Sequence, residues 1–127
     1  MISIDENEFS KIVADSLDNI PEKYYQQIKN VAFVVEDEPT GEQRQKLKLA
    51  CNQSLYGLYE GIPLTQRGAN YNLVLPDKIT IFRLPILSHS SSLNELKSLV
   101  DNTVWHEVAH YFGLDHEQIH KLEHKSH

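Results

Sequence analysis

Near one end of this 127-residue chain, the stretch HEVAHYFGLDH, His106 to His116, carries the residue types and spacing from which a metal centre is built. His106 and His110 stand four positions apart. On a helix that interval returns to the same face about one turn farther along the axis, so two imidazoles can converge on one ion. Zinc holds imidazole nitrogens at about 2.0–2.1 Å, and a helix fixes that approach with little entropy left to lose. Glu107 is turned about 100° from His106 around the same axis. It stands beside such an ion, where a carboxylate can take a proton from an attacking water. The third ligand imposes a condition: in a continuous helix, residue 116 would lie about 9 Å beyond His110 and off its face. Gly113 lifts that condition, because glycine enters positive φ cheaply and lets the chain turn back. His116 then approaches from another direction, with Asp115 as the fallback third ligand. Three protein ligands leave a fourth position open, the arrangement of catalytic and not of structural zinc. A plainer reading is a solvated, histidine-rich helix end, where the dipole favours imidazolium. It accounts for His120, His124 and His127, but not for Glu107 and Gly113 falling where a hydrolytic site needs them.

The elements that must position these residues can be read from periodicity and caps. Ser92-Leu93-Asn94-Glu95 caps a long helix whose apolar face is Leu96, Leu99, Val100, Val104, Ala109 and Phe112, with Gly113 as its left-handed end. Upstream, Ser3 to Glu6 reads as a capping box for a first helix to about residue 18, carrying Phe9, Ile12, Val13 and Leu17. Pro21 suits the first turn of a short second helix carrying Tyr24 and Ile28. Strands are expected at Val31 to Val35, at Leu55 to Glu60, and at Ile79 to Phe82 with Pro85 ending the last. Gly57 inside the second strand marks a bulge or a close backbone approach. Thr40 to Gln43 is a further cap leading toward Ala50, and 61–70 reads as a loop. The fold class is α+β, with a small three-stranded sheet packed on N-terminal helices and the long late helix.

The chain resembles the small bacterial zincin-like metallopeptidases, the minimal, matrix-metalloprotease-like zincins. The resemblance spans nearly the whole sequence through the runs DSLDNIPEKY, VAFVVEDEPT, LYGLYEGIPLTQRG, LPDKITIFRLPIL and TVWHEVAHYFGLDHEQIHKL. It implies a compact zincin-like (metzincin-like) fold in which the late helix supplies His106 and His110 as ligands and Glu107 as base. Relatives often have an acidic residue where His116 stands, which keeps Asp115 open as the third ligand. Metzincins proper carry a downstream methionine turn, whereas the one methionine here is Met1. The floor of the site must therefore come from the N-terminal helices or the sheet.

Other residues receive quieter readings. Trp105 is expected to pack in the core, the alternative being to shield the metal's surroundings, and Tyr111 points about 100° away from His110 and is not assigned to an oxyanion. Asp115 or Asp101 could accept the second N–H of a ligating histidine. Thr65, Gln66 and Arg67 read as a turn that could line the cleft, Tyr56 and Tyr59 as part of a strand open to substrate pairing, and Cys51 as an idle thiol.

Composition sets the outer bounds. At 14.6 kDa the chain is expected to form a single domain over residues 1–127 with one modest core, since 40% of its residues are hydrophobic. The longest purely apolar run, Val31 to Val35, is far short of a membrane span. The start, MISIDENEFSK, lacks a signal-peptide pattern, and a lone cysteine forms no internal disulfide, so the expected compartment is the cytoplasm. A net charge of −6 is a poor footprint for phosphate backbones, so no nucleic acid is expected as partner. The leading expectation is a zinc-dependent (Zn2+) peptidase acting on a peptide or protein substrate. Two alternatives stand beside it: a metal-binding interaction module with little peptidase activity, and a zinc endoribonuclease. The latter resembles the three-histidine frame of bacterial ribosomal-RNA-maturation endoribonucleases, but these have glycine where Glu107 stands.

Overall fold

The computed structural model describes residues 3–28, 30–50, 56–61 and 76–114. Its elements run α1 (Glu6–Asp18), α2 (Glu22–Tyr25), β1 (Val31–Glu36), α3 (Gly41–Ala50), β2 (Gly57–Glu60), β3 (Asp77–Phe82), α4 (Arg83–Ser88) and α5 (Leu93–Tyr111). This is the mixed α+β architecture expected from the sequence.

Local chemistry explains most boundaries. Helix α1 starts at Asp5, whose extended backbone and carboxylate cap the Glu8 N–H at 2.8 Å. The expected cap at Ser3 is thus corrected by two residues: the backbone is extended at Asp5, and its side chain accepts from the N–H three residues on. Phe9, Val13 and Ser16 then face inward at helical spacing. Pro21 caps the single turn of α2, and Ile28 lies beyond that turn. Thr40 and Gln43 form a reciprocal capping box at the start of α3: the Gln43 N–H donates to Thr40 Oγ1 at 3.1 Å, and the Thr40 N–H donates to Gln43 Oε1 at 2.9 Å.

The sheet has the order β1-β3-β2. Strand β3 pairs in parallel with β1, Val31 opposite Asp77 through Glu36 opposite Phe82, and antiparallel with β2, Gly57 opposite Ile81 through Glu60 opposite Lys78. A parallel pair needs a crossover, which the chain makes through α3 and β2. The central position of β3 explains its burial: Ile79 and Ile81 enter the main core with α1 and α5, while Phe82 packs with Leu58 in a smaller cluster. Leu55 lies outside the described residues, and the second strand begins at Gly57.

Helix α4 departs from the sequence expectation. The third strand ends at Phe82 as expected, but the helix that follows it directly, with Pro85 in its first turn, is not read from the sequence. Proline is tolerated there because the first N–H groups of a helix have no intrahelical acceptor. The junction is held by Arg83, whose guanidinium donates to Asp37 Oδ1 at 2.9 Å and to the Ile4 carbonyl at 3.0 Å.

Helix α5 begins at Ser92, whose Oγ accepts from the Glu95 N–H at 3.1 Å. It ends as expected at Gly113, with φ of 77°. The Leu114 N–H reaches the Ala109 carbonyl at 3.1 Å and the Gly113 N–H reaches that of His110 at 3.0 Å, the paired bonds of a Schellman turn. The predicted apolar face is buried or half-buried, but Thr103, Glu107 and Tyr111 are buried as well, so α5 is covered on two sides. Among the described residues, no helix is long and apolar enough to cross a membrane.

Candidate metal centre

The last turns of α5 bring His106 and His110 together as the four-residue spacing requires. Their Nε2 atoms stand 3.1 Å apart, with ring centroids 4.7 Å apart and planes at 79°. Two nitrogens bound at about 2.0–2.1 Å to one tetrahedral ion would be separated by about 3.3 Å, so this pair already has nearly the span that zinc demands. One ligand atom each from His106, Glu107 and His110 lies within 4.8 Å of the others, a group that could hold a metal ion. Both imidazoles are partly exposed, whereas Glu107 is 2% exposed. The arrangement offers two nitrogen ligands open to one side and a carboxylate set into the protein beside them.

Strand β2 supplies what covers Glu107. Gly57 is buried against α5, and a Cβ built there would stand 3.1 Å from Glu107 Cγ and 2.8 Å from Thr103 Cγ2. The sequence signal for this is the strand glycine itself, and of its two readings the close backbone approach describes the contact. Thr103, one turn before Glu107 on the same face, carries no such signal in the sequence. Its hydroxyl donates to the Leu99 carbonyl at 2.7 Å, which turns its methyl toward the strand.

The remaining candidates take up places of their own. Asp101 accepts a hydrogen bond from the Ser16 hydroxyl and ties α5 to α1. Trp105 packs edge-on against Tyr24 at 5.2 Å within the main core. Tyr111 is buried, its hydroxyl 3.5 Å from the Gln27 carbonyl and its ring edge-on to Tyr59. Tyr59 donates to the buried Asp77 carboxylate at 2.6 Å, and Tyr56 meets His89 edge-on. His116, Asp115, Cys51, the Thr65-Gln66-Arg67 run and the three last histidines lie outside the described residues.

Comparison with known proteins bears on the fold and the family. Of solved structures, a conserved hypothetical protein from Thermo thermophilus is similar, at 18% identity and a TM-score of 0.55, with 86% of this chain and 94% of that one covered. At that identity the likeness concerns the fold. No curated protein matches the chain. A family model for zincin-like metallopeptidases matches residues 28–126, from just before β1 through the histidine helix and past it. The chain belongs to the zincin-like metallopeptidase family.

Proposed function

We propose that the protein is a zinc-dependent peptidase that hydrolyses peptide bonds in a peptide or protein substrate. The observation that carries this reading is the pair of imidazole Nε2 atoms 3.1 Å apart with the Glu107 carboxylate beside them, in a chain of this family. His106 and His110 are ligands, and His116 completes the set, with Asp115 as the fallback. When bound, zinc polarises the scissile carbonyl and makes water a nucleophile near neutral pH. Glu107 takes the proton of the attacking water and delivers it to the leaving amine. Its burial suits that task, since a carboxylate held out of bulk water keeps one position and meets little competing solvent. The net charge of −6 favours peptides over nucleic acids as substrate, and a single cysteine fits the cytoplasm.

The test is Glu107→Gln, assayed against a fluorogenic peptide library beside metal analysis. The variant should keep the zinc stoichiometry of the wild type and lose hydrolysis by about 10²- to 10⁴-fold, the usual worth of a positioned general base. Undiminished hydrolysis in that variant would remove Glu107 from the mechanism.

A further inference from the structure

Strand β2, antiparallel to β3, meets α5 through a residue without a side chain. A Cβ at position 57 would lie 2.8 Å from Thr103 Cγ2, 3.1 Å from Glu107 Cγ and 3.2 Å from the Thr80 carbonyl oxygen. Two of these atoms belong to successive turns of α5, and the third to the neighbouring strand β3. The space is therefore bounded by both the helix and the sheet. Thr103 cannot easily yield either, because its hydroxyl is held on the Leu99 carbonyl at 2.7 Å. Glu107 is touched at Cγ, directly before its carboxyl carbon, so a push there moves the carboxylate. None of the three atoms nearest the added Cβ belongs to His106 or His110.

We propose that Gly57 is a positioning residue for Glu107: bare backbone at this point of β2 seats the glutamate side chain and sets where its carboxylate stands relative to the two imidazoles. This deepens the peptidase reading and rests on Glu107 being its general base. A catalytic group displaced by a few tenths of an ångström loses rate while the ligand pair keeps its metal. Gly57 thus acts on proton transfer and leaves metal capture alone.

The experiment compares wild type, Gly57→Ala and the double variant Gly57→Ala/Thr103→Ser. The serine removes Cγ2 and keeps the hydroxyl, leaving Glu107 Cγ as the side-chain contact with the new methyl. Zinc stoichiometry should equal that of wild type in all three proteins. In Gly57→Ala, kcat should fall about tenfold or more, with KM within about twofold. The double variant should recover thermal stability without recovering kcat. Independently of turnover, in zinc-free protein labelled with carboxyl-13C glutamate, the Glu107 resonance (assigned by its loss in Glu107→Gln) should shift in both variants. The ring resonances of His106 and His110 should stay in place. An unmoved Glu107 resonance, or full recovery of kcat in the double variant, overturns the proposal. Should wild type hydrolyse no peptide, the peptidase reading fails, and the carboxyl resonance still decides the role of Gly57.

Discussion

His106 and His110 differ from their neighbour Glu107 in one physical respect that organises the whole site. The imidazoles are partly exposed and the carboxylate is not. Ligand atoms must be reachable by an incoming ion, whereas a base gains from being enclosed, because interactions strengthen as water is excluded. Consecutive positions on a helix deliver this difference at no structural cost, since a rotation of about 100° carries the side chain from an open face to a covered one. The proposed third ligand is tested at the same scale. Metal analysis of His116→Ala beside Asp115→Ala should find zinc lost from the histidine variant and retained in the aspartate variant. The reverse result would transfer the role to Asp115.

Helix α5 is the element that presents these side chains, and both of its ends are specified by local chemistry. At the start, Ser91 donates from its hydroxyl and its N–H to the Glu95 carboxylate and holds its pKa below the usual carboxylate value. A lowered folded pKa means that this contribution is complete above the ordinary value and fades as pH falls through the lowered one. At the other end, Gly113 with φ of 77° closes the helix immediately before the segment that contains Asp115 and His116. Gly113→Ala should destabilise the fold by about 1–2 kcal/mol, the cost of a side chain in left-handed backbone. Denaturant unfolding measures it, and an unchanged midpoint would show that the turn tolerates a Cβ. The caps of α3 and α5 and the glycine end were legible because each depends on residues within a few positions of one another. Ser3 and Asp5 show the limit of such reading. Both are good caps before the same helix, and only the backbone conformation selects Asp5. Pro85 shows it again, since proline fits a strand end and a helix first turn equally well.

Across the molecule, α5 is held between α1 and the sheet, with Leu96, Val100 and Val104 fully or almost fully buried along one side and Gly57 pressed on another. The candidate metal centre is thus mounted on the core itself, and core defects should reach it. Leu96 is 0% exposed, so Leu96→Ala should cost about 2–5 kcal/mol through lost burial and the cavity left behind. Chemical denaturation checks this, and a loss below about 1 kcal/mol would mean that the core collapses into the gap. By itself the sequence determined the histidine spacing, the glycine turn, the register of apolar positions and the α+β class, all of which follow from helical and strand periods acting over short distances. It could not determine that β3 lies between β1 and β2, or that a strand some 50 positions away brings a glycine against Glu107. The strand glycine signals a close approach, but nothing local names the element that approaches it. Those contacts exist because burying both sides of α5 removes more apolar surface from water than burying one, and only the folded chain shows which strand meets which turn.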